Sequence, residues 1–297
     1  MAPRQIVAAI LLLALLPPLA AFTASPSAAS LSLAAAPSRW ATFDGIRVHY
    51  KLLGRGKTTI VLVHGWGGDL NVWREQTARF GTVARLLLID LPGHGKSDKP
   101  KTTYSMKLFA RAIRAAMDDA RIDRAVLVGH SMGTPVIRQF DRMYPHRSRA
   151  LVAVDGFLRN PLDAEQAEAF IAPLRGDDYQ AVVAKRIDSM TKSADAAVRD
   201  GLRATAADTP QHVLVGAMEG SFLDPTIWKD DKISVPLAVI VANSPQWTDE
   251  YQAWARALAA DVDWEVIDGA GHYVMLEKPA EFNERLAKFL VKHGYLR

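Results

Sequence analysis

The chain has 297 residues, of which 49% are hydrophobic, and 36 Lys and Arg residues stand against 32 Asp and Glu residues for a net charge of +4. These values are ordinary for a globular protein of one large domain or two small ones. The absence of cysteine excludes a disulfide scaffold, a zinc ribbon, a thiol redox site and a cysteine nucleophile. The sequence has no run of five basic residues, so a nucleic acid is not an expected partner.

The amino-terminal segment has the order of features that is typical of a secretory signal peptide. Arg4 is followed by an apolar run over residues 6–16, then by two prolines and a stretch of small residues. The run is too short to cross a bilayer, which requires about 20 apolar residues. We predict a signal peptide over residues 1–29, with an ambiguous cleavage site, and a disordered leader over residues 30–39. The mature protein is expected to be exported, periplasmic or secreted, without a membrane span.

From residue 40 onward, short apolar runs alternate with amphipathic stretches. A turn at Asp44-Gly45 predicts a hairpin over residues 40–53. Continuous apolar runs, typical of strands buried on both faces of a parallel sheet, occupy residues 59–63, 84–90, 125–128, 150–154, 237–241 and 264–267. Amphipathic helical patterns occupy residues 71–80, 105–120, 132–144, 249–260 and 279–293. The alternation predicts an α/β core of residues 40–157 and 232–297, with a mostly parallel sheet of about eight strands and helices on both faces.

Residues 158–231 contain no strand-like run and interrupt this alternation. They hold amphipathic helical segments with apolar stripes of their own, over residues 163–174, 179–191 and 195–223. We interpret this all-helical insertion between the sixth and seventh strands as a cap, or lid, over the core.

The sharpest motif is Gly129-His130-Ser131-Met132-Gly133, which follows the strand predicted at residues 125–128 and precedes a helix. A serine on a strained strand-to-helix turn has an exposed hydroxyl, and the flanking glycines let the backbone pack closely. Ser131 is therefore the candidate nucleophile, and it requires a base to remove its proton.

The chain resembles the α/β-hydrolase family over residues 42–290. Four motifs in the family's order carry the resemblance: HGWGG at residues 64–68, DLPGHGKS at 90–97, the serine turn at 129–133 and GAGH at 269–272. The resemblance implies the α/β-hydrolase fold with a cap domain at the position of the helical insertion.

The resemblance also implies that the backbone N–H groups of Trp66 and Met132 form an oxyanion hole. Each such donor contributes about 3 kcal/mol to the stabilisation of the transition state. The candidate base is His272, in a glycine-rich loop after a late strand. Loops at the carboxyl ends of parallel strands meet at the edge of the sheet where ligands bind.

The remaining histidines are given structural or surface roles. Three lie beside motif residues and are expected to make structural hydrogen bonds: His64, His94 and His130. Four are expected at the surface: His49, His146, His212 and His293. None forms a metal-ligand pair such as H-E-x-x-H, so no metal site is predicted.

The triad acid has several candidates. Family members usually carry an acid just after the seventh strand, but residues 239–245 contain none. Asp155, at the end of the sixth strand, is the preferred candidate because it preserves the chain order of nucleophile, acid and histidine. Asp249 and Glu250, a few residues beyond the usual position, are alternatives. Asn243 would orient the imidazole without a charge.

A serine at the turn disfavours the chemistry of haloalkane dehalogenases and epoxide hydrolases of this fold, which use an aspartate there. No dinucleotide-binding or P-loop motif is present, so no cofactor is predicted. The predicted activity is hydrolysis of small, largely apolar esters through an acyl-serine intermediate, with a small molecule as the expected partner. Candidate pocket residues are Phe157, Leu158, Met218, Phe222 and Trp228.

Two other classes of function stay open, because one scaffold hosts many activities. The same machinery supports acyl transfer, lactone opening, carbon–carbon bond hydrolysis and perhydrolysis. A non-catalytic ligand-binding protein on a hydrolase scaffold is the third class. The sequence makes no prediction of oligomeric state.

Overall fold

The computed structural model describes residues 32–297 of the chain. The predicted signal peptide, residues 1–29, and the first two residues of the predicted leader lie outside this range. Within residues 32–297, no helix has the length and apolar character needed to span a membrane.

Eight strands form one sheet at the centre of the fold. In chain order they are β1 (Ser38–Phe43), β2 (Ile46–Gly54), β3 (Thr59–Val63), β4 (Arg85–Ile89), β5 (Ala125–His130), β6 (Ser148–Val154), β7 (Leu237–Ala242) and β8 (Val262–Ile267). Their order across the sheet is β1-β2-β4-β3-β5-β6-β7-β8. The pairs β1–β2 and β2–β4 are antiparallel, and all other neighbours are parallel. The predicted sheet of about eight mostly parallel strands is confirmed.

Ten α-helices accompany the sheet within the described residues. They are α1 (Arg74–Phe80), α2 (Met106–Asp119), α3 (Gly133–Met143), α4 (Ala164–Ile171), α5 (Tyr179–Met190), α6 (Ala196–Ala207), α7 (Gln211–Phe222), α8 (Asp249–Arg256), α9 (Val274–Glu277) and α10 (Pro279–Lys292). Helices α2 and α3 pack together on one face of the sheet, and α1 and α10 pack together on the other. Strands β3, β5 and β7 are buried at every position, as their continuous apolar sequences require.

The segment predicted as a disordered leader packs against the core, in the part that is described. Leu33 and Ala36 are buried, and β1 begins at Ser38 rather than at residue 40. The ammonium group of Lys51 donates a hydrogen bond to the Leu33 carbonyl oxygen at 2.7 Å. The prediction was therefore wrong for residues 32–39, because burial of Leu33 and this hydrogen bond hold the segment on the sheet.

The chain between β6 and β7 folds into α4 to α7, and residues 158–231 are called the helical insert below. The segment predicted as one helical stretch, residues 195–223, divides into two helices at Pro210, which has no N–H to continue a helix. Helix α7 lies so close to the core that a Cβ atom at Gly220 would collide with the Tyr104 carbonyl oxygen. The insert therefore rests directly on the core.

Arg138, on α3, joins the two ends of the helical insert. Its guanidinium donates hydrogen bonds to the carbonyl oxygens of Leu158 at 2.5 Å, where the insert begins, and of Lys229 at 2.5 Å and Asp231 at 3.1 Å, where it ends. Arg142, one turn later, donates to the Asp231 carboxylate at 2.7 Å. Burial lowers the pKa of Arg138 to about 10, so the group still carries its charge at neutral pH.

We expect Arg138→Met to lower the free energy of unfolding by about 2–3 kcal/mol, because the carbonyl oxygens of Leu158 and Asp231 lose their Arg138 donor, whereas that of Lys229 keeps a hydrogen bond from Arg142. Urea unfolding monitored by tryptophan fluorescence measures the change. Arg74→Met is the control, since Arg74 forms an exposed ion pair with its neighbour Glu75 and should cost less than about 0.5 kcal/mol. Equal effects of the two substitutions would contradict the role given to Arg138.

Candidate active site

Ser131 stands on the tight turn between β5 and α3. Its φ angle of +53° lies in the left-handed region, which a residue with a side chain adopts only under local constraint. The turn is held by a hydrogen bond from Ser131 N to the Val154 carbonyl oxygen at 2.9 Å. A Cβ atom at Gly129 would collide with the Gly133 carbonyl oxygen, and one at Gly133 would lie 2.7 Å from the Val63 carbonyl oxygen. Both glycines are therefore required for this turn.

Asp155 and His272 form a direct side-chain pair beside this turn. Asp155 Oδ2 lies 2.6 Å from His272 Nδ1, and Asp155 Oδ1 accepts a hydrogen bond from Ala242 N at 2.9 Å. The Asp155 side chain is 3% exposed and that of His272 is 20% exposed. Because a carboxylate only accepts hydrogen bonds, it favours the imidazole with its proton on Nδ1. That tautomer leaves Nε2 able to accept a proton.

The loop that carries His272 is fixed from three sides. His130 Nε2 donates to the His272 carbonyl oxygen at 2.9 Å, and burial keeps the pKa of His130 well below its usual value. His272 N donates to the carbonyl oxygen of Met190, at the end of α5, at 3.2 Å. The Glu277 carboxylate accepts from the backbone N–H groups of Gly271 at 2.8 Å and Tyr273 at 3.1 Å. Glu277 was not predicted from the sequence, because a single glutamate in a helical pattern is typical of a solvated face.

The loop after β3 lies against Ser131. A Cβ atom at Gly65 would be 2.9 Å from the Ser131 Cβ atom, so only glycine fits there without displacing the loop. Trp66 is 4% exposed, and its indole Nε1 donates to the Leu214 carbonyl oxygen on α7 at 2.8 Å. Met132 occupies the N-cap position of α3. The first backbone N–H groups of a helix have no hydrogen-bond partner within the helix.

The alternative acid candidates lie away from His272. Asp249 and Glu250 are exposed in the first turn of α8, and Glu250 pairs with Arg159 at 3.4 Å. Asn243 donates from its amide to Asp268 at 2.7 Å. Among these candidates, the structure therefore brings only Asp155 to His272.

The histidines beside the motifs make the expected kind of contact. His64 Nδ1 lies 2.7 Å from the Gly65 carbonyl oxygen and His94 Nδ1 lies 3.1 Å from that of Pro92. The surface prediction was wrong for His49, which is 1% exposed. His49 lies on β2 between Asp90 and Ser38, and each ring nitrogen is 2.8 Å from an oxygen of one of them. His146 and His212 are exposed as predicted, whereas His293 is partly buried.

Ser131 and His272 open onto a cavity of about 300 Å³ between the sheet edge and the helical insert. Four predicted pocket residues line it: Phe157, Met218, Phe222 and Trp228. The prediction was wrong for Leu158, which is buried and donates its N–H to the Tyr251 hydroxyl at 2.7 Å. Lining side chains that the sequence analysis missed are Pro135, Phe170, Met190, Ser221 and Gln246. Of these, Ser221 lies three residues after Met218, so helical spacing contained the signal.

No cluster of three or more His, Cys, Asp or Glu residues with the arrangement of a metal site occurs within residues 32–297. The cavity brings together Ser131, His272 and Asp155, with Trp66 and Met132 beside them and an apolar wall. Such an arrangement is suited to acyl chemistry by a serine nucleophile.

Comparison with known proteins identifies the family. The profile of the Alpha/beta hydrolase family matches residues 60–285. The chain is 30% identical over 268 residues to the dihydrolipoyllysine-residue acetyltransferase component of the acetoin cleaving system of Cupriavidus necator, covering 86% of this chain and 70% of that one. It is 40% identical over 121 residues to a 2-hydroxy-6-oxononadienedioate/2-hydroxy-6-oxononatrienedioate hydrolase of Paraburkholderia phymatum, covering 39% of this chain and 42% of that one.

Among solved structures, the chain is similar to Est816, described as an N-acyl homoserine lactone degrading enzyme. The TM-score is 0.72 at 25% sequence identity, over 84% of this chain and all (100%) of that one. The chain therefore belongs to the alpha/beta hydrolase family and is a hydrolytic enzyme.

Proposed function

We propose that the protein is an exported serine hydrolase that cleaves small, largely apolar esters through an acyl-serine intermediate. The observation that carries the proposal is the 2.6 Å contact between Asp155 and His272, beside Ser131 in one cavity. Export rests on the charged, apolar and small-residue order of the first 29 residues.

In the first half of the reaction, Ser131 Oγ attacks the acyl carbon while His272 Nε2 takes the hydroxyl proton. The negative charge that forms on the carbonyl oxygen is stabilised by the N–H groups of Trp66 and Met132. His272 then returns the proton to the departing alcohol oxygen, which leaves the acyl group on Ser131. Asp155 stabilises the imidazolium that exists between these two transfers.

In the second half, a water molecule attacks the acyl-serine while His272 accepts its proton. Collapse of the second tetrahedral intermediate returns that proton to Ser131 Oγ and releases the carboxylic acid. The sequence of steps restores the enzyme without a metal or a redox cofactor.

The cavity wall supports a neutral, apolar acyl group. Aromatic and methionine side chains supply most of it, and no Lys or Arg is among its lining residues within the described chain. Burial of a carboxylate there without a cationic partner would cost several kcal/mol. A dianionic substrate, such as that named for the Paraburkholderia phymatum relative, therefore does not suit this wall.

We expect Asp155→Asn to lower kcat on p-nitrophenyl butyrate by about 10⁴-fold, because an amide does not hold the required tautomer or stabilise the imidazolium. Asp249→Asn is the matched control and should change kcat less than about twofold. Steady-state kinetics of the two purified variants make the comparison. Small, equal effects would remove Asp155 from the triad.

We expect Gly65→Ala to lower kcat by about 10²-fold or more with a smaller change in KM, because the added methyl group displaces the loop that carries Trp66 N–H. Gly201→Ala is the control, since its Cβ atom on α6 would meet no atom within 4 Å. That variant should keep its activity and gain about 0.5–1 kcal/mol of stability. Full activity of Gly65→Ala would contradict the role of this loop.

Lactone opening is a second candidate, favoured by the similarity to Est816. A lactone is a cyclic ester, so the same steps open it and leave the alcohol attached to the acyl group. A pH-stat assay with N-butanoyl homoserine lactone beside ethyl butyrate separates the two. We expect a higher kcat/KM for the linear ester, and the reverse order would make lactones the preferred class.

A further inference from the structure

Phe170 is a residue of the cavity wall that is also exposed to solvent. It lies near the end of α4, lines the cavity that contains Ser131, and is 39% exposed to solvent. Among the large apolar side chains that line this cavity in the described chain, it is the exposed one. The Phe170 side chain therefore contacts both the cavity and the solvent.

The ring of Phe170 is held by two neighbours on different helices. Phe222, at the end of α7, meets it edge to face with ring centroids 5.9 Å apart. The guanidinium carbon of Arg186, on α5, lies 3.9 Å from the Phe170 ring centroid, and its Nη2 donates to the Phe170 carbonyl oxygen. Arg186 therefore contacts both the ring and the backbone of Phe170.

Arg186 also reaches the loop beside the nucleophile. Its guanidinium carbon lies 5.8 Å from the centroid of the Trp66 ring, and its Nη1 is buried without a hydrogen-bond partner among the described residues. Burial lowers the pKa of Arg186. A planar guanidinium can stack on two aromatic faces, which an ammonium group cannot do in the same way. The Arg186 contacts thus link the Phe170 wall to the Trp66 loop.

We propose that Phe170 is a gate that limits the length of the acyl chain, and that Arg186 is the positioning residue that keeps this gate closed. The inference rests on the proposed ester hydrolysis and adds the determinant of its chain-length range. A longer chain would displace the Phe170 ring and extend past it, against Phe222, toward solvent.

The test is a series of p-nitrophenyl esters from acetate to dodecanoate with the wild-type protein and Phe170→Ala. We expect the ratio of kcat/KM for decanoate to that for butyrate to rise at least about tenfold, since the blocked methylenes gain apolar contact. Phe170→Leu, which keeps an apolar but shorter side chain, should give a smaller rise. Leu223→Ala is the matched control, because Leu223 is an exposed apolar residue of the same insert outside the cavity, and its ratio should not change.

Arg186 is tested with Arg186→Lys and Arg186→Met. Both should shift the same ratio upward, by about two- to fivefold, through a lower KM for the long ester. An effect on stability alone would lower kcat for all chain lengths equally and would overturn the positioning role.

Different results would contradict the Phe170 gate and the ester hydrolysis on which it rests. An active wild-type enzyme with an unchanged ratio in Phe170→Ala would overturn the gate and leave ester hydrolysis standing. Wild-type protein that forms no acyl-serine and turns over no ester would overturn the proposed function, and with it the gate.

Discussion

The carboxylate of Asp155 joins three parts of the chain that are far apart in sequence. It accepts hydrogen bonds from the backbone N–H of Ala242, the last residue of β7, and from Nδ1 of His272, in the loop after β8. Asp155 shares an unusual backbone conformation with Ser131. Both residues have left-handed φ angles, and they follow the neighbouring strands β6 and β5. Such conformations cost about 1–3 kcal/mol each and persist only where their surroundings over-determine them.

The sheet supplies that support. Ser131 N donates to the Val154 carbonyl oxygen and Asp155 N donates to that of Ile240, so each turn begins as a continuation of the parallel ladder. Since the strands run in the same direction, their turns project over the same edge of the sheet. Ser131 and Asp155 are thus placed by the sheet, and of the three residues only His272 depends on a longer loop.

The helical insert contributes to the same geometry. Its Met190 carbonyl oxygen accepts from His272 N, and its Leu214 carbonyl oxygen accepts from the Trp66 indole. Arg138 joins both ends of the insert to α3, the helix that follows Ser131. The position of the insert is therefore coupled to His272 and to the loop beside Ser131, and a shift of the insert would disturb both.

The positions of the strands and the choice of Asp155 could be predicted from the sequence, because both follow from the order of segments along the chain. Continuous apolar runs locate the strands, and the absence of an acid after β7 points to Asp155 at the end of β6. The burial of polar side chains beneath other segments of the chain could not be predicted from the sequence. His49 and Lys51 look like exposed residues on β2, but residues 32–38 cover them with the Leu33 carbonyl oxygen and the Ser38 hydroxyl. Likewise, helical periodicity shows that α4 is amphipathic but not that Phe170 faces both cavity and water.

The most direct test of a serine nucleophile in this site is reaction of the purified protein with a fluorophosphonate, followed by peptide mapping by mass spectrometry. We expect one stoichiometric adduct, on Ser131, and no adduct on Ser131→Ala protein of the same stability. Absence of an adduct in the wild-type protein, or an adduct that persists in Ser131→Ala, would contradict it.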